Sequence, residues 1–191
     1  ALLIACAEMY FQGISTRKVQ DVLEQMCGMD ISAATVSGIA SELDEKLAVF
    51  RRRRLDNIEY PFLHIDARYE KVRVQGHIIS QAVLVVVGID SFGFRRILDW
   101  RIADSESLQS WGQLFKDLKD RGLTGLKMVT SDAHKGICAA IDRYFQGVIW
   151  QRCRVHLKRE LLRKIAWRYY HELLGDIAAV FMPEDRVECL Q

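Results

Sequence analysis

Apolar residues recur at two different periods along this chain, and the change between them falls near residue 55. Before it the spacing is helical. Leu2 to Phe11 is largely apolar, and Gly13 can end that helix. Ser15 suits an N-cap, with Val19, Val22, Leu23 and Met26 as the buried stripe behind it and Gly28 as the stop. Ser32 can cap a third helix whose stripe is Val36, Ile39, Leu43 and Leu47. Two short helices joined by a Gly-containing turn have the form of a helix-turn-helix. Arg51 to Arg54 and the stretch Leu55 to Tyr60, closed by Pro61, read as a linker.

Beyond the linker the period shortens to two. Pro61 to Asp66 alternates like a strand and ends in a carboxylate; Lys71 to Ile79 alternates as well. Ala82 to Ile89 is a valine-rich run, as in a strand covered on both faces. Asp90-Ser91-Phe92-Gly93 signals a turn, and Phe94 to Ile102 another strand. Helical spacing then returns from Ser107 to Arg121, with Leu108, Trp111, Phe115 and Leu118 on one face and Gly122 at the end. Leu126 to Thr130 is a short strand, Ala133 to Tyr144 a helix, Val148 to Gln151 a last strand, and a basic helix starts near Val155. Trp100, Trp111, Trp150 and Trp167 fit core or helix-face positions. A meander followed by alternating helix and strand predicts an α/β fold, a mixed sheet with flanking helices. A right-handed crossover would set the strand ending at Thr130 parallel to, and beside, the first.

Composition changes this picture little: the chain is half hydrophobic and 27% charged, ordinary for a globular protein. The longest apolar run, Ala82 to Val87, is far short of the ~20 residues of a membrane span. Five scattered cysteines and no leader pattern point to a reducing cytoplasm. The chain opens at Ala1 within a helical pattern, so a piece of a longer protein is expected. Charge is informative by its placement. From Arg143 to Arg168 there are eight Lys or Arg against one acid, Glu160, a stretch able either to meet phosphates or to form a solvated helix face.

Two carboxylates stand where the strands end. If the strands carrying Asp66 and Asp132 are parallel neighbours, both acids reach one edge of the sheet. Hard cations such as Mg²⁺ take a few carboxylates and leave room for water and phosphate, which is the arrangement of metal-assisted phosphodiester chemistry. Asp132 also suits the N-cap of the helix after it, whereas an acid within Phe62-Leu63-His64-Ile65-Asp66 is unusual for an apolar strand.

The run Tyr60-Pro61-Phe62-Leu63-His64-Ile65-Asp66-Ala67-Arg68-Tyr69-Glu70-Lys71-Val72-Arg73 resembles the first catalytic block of Mutator-type bacterial insertion-sequence transposases. Thr130-Ser131-Asp132-Ala133-His134-Lys135-Gly136-Ile137 resembles their second, and Trp150-Gln151-Arg152-Cys153-Arg154-Val155-His156 their Trp-Gln-Arg-Cys-x-x-His signature. Gly13-Ile14-Ser15-Thr16-Arg17-Lys18-Val19, with Thr35-Val36-Ser37, resembles their N-terminal helical region. The resemblance implies a ribonuclease-H-like fold and an Asp-Asp-Glu triad whose two aspartates are Asp66 and Asp132. It also implies Mg²⁺ (or Mn²⁺) as cofactor, and double-stranded DNA (terminal inverted repeats and target) as partner. A homo-oligomer on DNA, action in the bacterial cytoplasm at the nucleoid, and no membrane association follow from the same likeness. In the family the Glu comes after a helical insertion. Glu160, Glu172, Glu184 and Glu188 do not sit in its block, and Glu160 stands where the family has Asn. The expected organisation is a helix-turn-helix over 1–55, an incomplete catalytic core over 56–168 and the start of the insertion over 169–191.

Within this frame Arg17 and Lys18 are candidates to hold phosphates, and Ala33, Ala34, Thr35 and Ser37 to face base edges from the start of a recognition helix. A helical bundle that only packs on the core is the plainer alternative. His134 and Lys135 at a helix start, and Arg152, Arg154, His156, Lys158 and Arg159 in the basic stretch, are further candidates for DNA contact. Cys153 and His156 have the spacing of half a zinc site, but no second pair accompanies them. Glu106 opens the helix that follows the meander, where ribonucleases H carry a metal-binding acid; it also suits a first-turn acid favoured by the helix dipole. Cleavage and strand transfer at element ends is the leading expectation. A catalytically inactive DNA-binding remnant and a nuclease using Glu106 are its rivals.

Overall fold

A computed structural model describes residues 9, 14–28, 32–74, 76–164 and 166–180. The expected first helix with its stop at Gly13, the side chains of Met26, Ala33, Val36, Ile39, Leu43, Trp167 and Glu172, and the acids Glu184 and Glu188 lie outside the described residues. The chain divides into two compact units, 1–53 and 54–191.

The first unit contains α1 (Thr16–Cys27) and α2 (Ala33–Arg52). The expected caps form: Ser15 Oγ accepts from Lys18 N, and Ser32 Oγ accepts from Thr35 N at 3.1 Å. Gly28 ends α1 at φ +61°, a left-handed conformation that costs glycine little. Val19 and Leu23 are buried, while Arg17, Lys18, Ala34, Thr35 and Ser37 are exposed. Arg51 and Arg52 are not linker: they form the last turn of α2, where positive charge suits the helix dipole. Arg53 caps that helix, donating to Phe50 O at 2.7 Å with its guanidinium over the Phe50 ring.

The second unit is built on five strands: β1 (Phe62–Val74), β2 (His77–Ile89), β3 (Arg95–Ala103), β4 (Met128–Ser131) and β5 (Ile149–Arg152). Its helices are α3 (Leu108–Asp120), α4 (Lys135–Tyr144), α5 (Arg154–Arg163) and α6 (Tyr170–Val180), with a 3-10 turn at Trp167–Tyr169. The sheet order is β3-β2-β1-β4-β5; the first three strands are antiparallel neighbours, and β4 and β5 run parallel to β1. This is the expected mixed sheet with flanking helices, and β4 lies parallel to and beside β1.

Two strand expectations change. Lys71 to Ile79 is not a strand of its own: β1 runs on to Val74, Gly76 turns the chain at φ +84°, and β2 starts at His77. Asp66 therefore lies inside β1, not at its end. The β2–β3 register slips between Val86 and Val87, which pair with Asp99 and Ile97. The extra residue makes Leu98 and Asp99 both point inward, and both are fully buried. Arg121, at the end of α3, answers this bulge by donating to Leu98 O at 2.8 Å and pairing with Asp99 at 3.3 Å.

The core lies between the sheet and α3 and α4. Leu63 and Ile65 of β1, Ala82, Leu84 and Val86 of β2, and Val129 of β4 meet Trp111, Leu114, Phe115 and Leu118 of α3 and Ile137 and Ile141 of α4. The helices approach closely because a Cβ at Gly112 would stand 2.6 Å from the Tyr144 ring. Trp150 departs from the core expectation: it is 40% exposed, and its indole N–H donates to Ser131 Oγ at 2.9 Å. Among the described residues no helix is long and apolar enough to cross a membrane.

Candidate functional site: an acidic edge where two parallel strands part

β1 and β4 pair over three positions, Phe62↔Met128, Leu63↔Val129 and His64↔Thr130, at a constant offset of 66. Asp66 and Asp132 differ by the same offset, and each follows its last paired residue by two. The register thus carries both acids to the place where β4 leaves the sheet while β1 continues beside β2. Asp66 Oδ1 accepts from Ala67 N at 2.9 Å, and its side chain is half exposed.

Asp132 is not the cap of α4. That role belongs to His134, whose Nδ1 accepts from Gly136 N at 3.3 Å, so the helix starts at Lys135 and not at Ala133. Asp132 Oδ1 accepts from His134 N at 3.2 Å, which closes a short turn ahead of the helix. Buried Ser131 braces it from behind: its hydroxyl donates to Asp132 O at 2.7 Å and accepts from Trp150.

Three further groups border this edge. His156 of α5 brings Nε2 to 3.8 Å from Asp66 Oδ1, so its neighbour is a carboxylate; its Nδ1 is buried with no hydrogen-bond partner. His134 Nδ1 lies 3.9 Å from Glu106 Oε2. That nitrogen can accept from Gly136 while neutral, or face Glu106 as a cation when protonated, but it cannot do both. Glu106 precedes the Ser107 cap of α3, so it is not a first-turn acid. Burial pushes its carboxyl above the ordinary glutamate value; His134 opposes this, Asp132 and Asp66 add to it, and His156 opposes again. Its backbone N–H donates to Tyr69 Oη at 3.2 Å.

The donor set at the edge is carboxylate oxygen, which suits a hard divalent cation that keeps other positions for water and phosphate. Asp66 and Asp132 would hold it. Among the described residues no three His, Cys, Asp or Glu side chains are gathered closely enough to hold a metal ion by themselves. Cys153 is a buried free thiol at the start of α5, and its backbone N–H donates to Ser131 O at 2.6 Å.

The basic residues divide by their partners. Arg152 is engaged by Glu160, which also pairs with Lys164 at 3.1 Å; Lys164 first and Arg152 second hold the Glu160 carboxyl below its ordinary value. Glu160 is thereby an ion-pair partner of α5. Arg154 and Arg159 are exposed and Lys158 is half-buried. Lys158 and Arg159 line an open hollow of about 380 Å³ with Val155, Leu162 and Arg163. Lys135 is exposed at the first position of α4.

Glu106, which the sequence offered as a metal-binding or a first-turn acid, is fixed by its backbone bond to Tyr69, 37 residues earlier.

The chain is similar to the transposase of insertion sequence element ISRM5 from Rhizobium meliloti (strain 1021), 42% identical over 97% of this chain and 46% of that protein. It is 45% identical to the transposase of IS406 from Burkholderia multivorans (strain ATCC 17616 / 249), over 83% of this chain and 41% of the relative. It is 39% identical to that of IS256 in transposon Tn4001 from Staphylococcus aureus, over 86% and 42%. The chain thus spans less than half the length of these relatives. Among solved structures, a Drosophila P element transposase strand transfer complex aligns at a TM-score of 0.49 and 10% identity, over 85% of this chain and 42% of that one. The profile described as "Transposase, Mutator family" matches residues 1–190, and the chain belongs to that family.

Proposed function

We propose that Asp66 and Asp132 are metal-binding catalytic carboxylates of an insertion-sequence transposase that cuts DNA at element ends and joins the freed 3′-hydroxyl to target DNA. The observation that carries this reading is the shared offset of 66 between the β1–β4 register and the two aspartates. A bound Mg²⁺ or Mn²⁺ would supply Lewis-acid activation of the attacking oxygen and charge for the leaving one. The chain's own residues supply the rest. Asp132 is held by the turn to His134 and by Ser131, so its carboxylate needs little reordering. Lys135 and the free backbone N–H groups at the start of α4 lie next to it and favour a phosphate there. Arg154, Lys158 and Arg159 extend positive charge along α5, while Arg17, Lys18, Thr35 and Ser37 offer a separate exposed surface for duplex DNA.

The third carboxylate of the Asp-Asp-Glu set is assigned to no residue of this chain. The protein would work on nucleoid DNA in the bacterial cytoplasm, as a homo-oligomer bridging paired ends. The test is cleavage of inverted-repeat DNA, in Mg²⁺, by a protein extended to the length of the relatives. Asp66→Ala and Asp132→Ala should each abolish cleavage while leaving DNA binding intact. Wild-type cleavage by either variant would overturn the reading, and binding without cleavage by the extended wild-type protein would favour an inactive DNA-binding remnant.

A further inference from the structure

Trp150 directs its one donor inward. The side chain is 40% exposed, so water could satisfy its N–H, yet the indole donates to Ser131 Oγ at 2.9 Å. The β4–β5 register makes this contact. Trp150 pairs with Val129, two residues before Ser131, so both side chains lie on one face and the indole reaches forward along the strand. Ser131 is fully buried, and a hydroxyl there must take its hydrogen bonds from the protein. An indole N–H can donate but never accept. The Trp150 bond therefore occupies a lone pair of Ser131 Oγ and leaves its single proton for Asp132 O, at 2.7 Å. Cys138 Sγ also reaches that carbonyl, at 4.0 Å, but a thiol is a weak donor.

A one-way chain of donors thus runs from Trp150 through Ser131 to the backbone of Asp132, which is held at two points. Ser131 fixes its carbonyl, and His134 N, at 3.2 Å, fixes its carboxylate. With the carbonyl released, the planar peptide between residues 132 and 133 can turn as a unit, and the turn that carries the carboxylate moves with it. We propose that Trp150 is a positioning residue for Asp132: its indole sets the direction of the Ser131 hydroxyl, which fixes the turn that aims the carboxylate. Its bearing on cleavage rests on the reading of Asp132 given above.

Hydrogen exchange in the 191-residue chain, followed by nuclear magnetic resonance, tests this without metal or DNA. The His134 N–H reports the carboxylate, because Asp132 Oδ1 is its acceptor. Trp150→Phe keeps an aromatic ring and removes the donor; it speeds exchange of the His134 N–H about fivefold, the scale of one hydrogen bond. Ser131→Ala does the same, and the double variant is no faster than either single one, because both break one chain of bonds. Amides across the β1–β2 pairing keep their wild-type rates, which a general loosening would raise. Unchanged exchange at His134 in Trp150→Phe, additive effects in the double variant, or equal acceleration across β1–β2 overturns the assignment. Should Trp150→Phe not keep the wild-type circular dichroism spectrum, the Trp150 indole N–H decides. It exchanges slowly in the wild type and faster in Ser131→Ala, and equal rates overturn the assignment. In the protein extended to the length of the relatives, Trp150→Phe raises the Mg²⁺ concentration for half-maximal cleavage about tenfold, with DNA binding unchanged. If the extended wild-type protein does not cleave, the reading of Asp132 falls and exchange still decides for Trp150. If it cleaves and Trp150→Phe needs no more Mg²⁺, the assignment of Trp150 is overturned and that of Asp132 stands.

Discussion

Asp66 and Asp132 each stand two residues past the last rung that joins β1 to β4, His64↔Thr130. One parallel register therefore places two acids that are distant in sequence at one margin of the sheet. Neither needs the other to fold there, since Leu63, Ile65 and Val129 fix the strands from the opposite, buried side. Packing is carried by their neighbours, and the Asp66 side chain stays half exposed.

Gly136 tests how tightly that margin is built. A methyl group there would sit 2.4 Å from Glu106 O, a backbone atom that cannot rotate away. Gly136→Ala should destabilise the second unit by about 1–3 kcal/mol, as overpacking usually does. Urea unfolding should show the loss as an earlier midpoint with an unchanged slope.

Arg121 and Asp99 hold the bulge of β3 onto the end of α3. Arg121→Met leaves a fully buried carboxylate without its guanidinium and should cost roughly 3–5 kcal/mol. Combining it with Asp99→Leu should recover part of that loss. A double-mutant cycle in urea gives the coupling directly.

Asp90 sets an acid limit on stability. Burial alone would raise its carboxyl, but Arg96 Nε at 2.9 Å and the N–H groups of Phe94 and Phe92 outweigh that and hold it below the ordinary aspartate value. A depressed folded-state value means the stabilisation is complete above the unfolded aspartate value of about 3.9 and disappears as pH falls through the folded one. Thermal melts from neutral pH down to about 2 should show a midpoint that drops below about pH 4. Asp90→Asn should melt lower at neutral pH and show a shallower acid decline.

Salt dependence of DNA binding should separate the basic residues of α5. Each phosphate neutralised contributes about 0.9 to the logarithmic salt slope on duplex DNA. Arg159→Ala, which removes an exposed charge, should lower the slope by about that amount. Arg152→Ala should lower it less, because Glu160 already balances Arg152. Equal slopes for the two variants would show that the Glu160 pair opens on DNA.

The parts of this fold that hydrophobic spacing controls were legible in advance. Trp111, Phe115 and Leu118 are buried along α3 as their spacing requires. The valine run of β2 is central to the meander, but it is not covered on both faces as expected: Ala82, Leu84 and Val86 are fully buried, and Val83, Val85 and Val87 only partly. Ser15, Ser32 and Ser107 cap their helices because a hydroxyl placed there meets free N–H groups. What escaped depends on partners distant in sequence. The far half of β1 is polar, and its length is set by pairing with β2. The inward turn of Asp99 requires a register slip that leaves no local signature, and its partner Arg121 is 22 residues away. His134 displaced Asp132 as the cap of α4 because Asp132 is already bonded to His134 N. Asp66 and Asp132 were singled out by their motif blocks and an expected place at strand ends, although β1 runs past Asp66 to Val74. Glu106 was singled out by its place before the helix that follows the meander, but its bond to Tyr69 could not be read from its neighbours in sequence.

The most direct measurement is cleavage by Asp66→Cys and Asp132→Cys variants of the extended protein, compared in Mg²⁺ and Mn²⁺ on the same inverted-repeat DNA. A thiolate is a poor ligand for Mg²⁺ and a tolerable one for softer ions. The account predicts that both variants are inactive in Mg²⁺ and regain cleavage in Mn²⁺, which places each side chain on the metal. Wild-type cleavage in Mg²⁺ by either variant would contradict it.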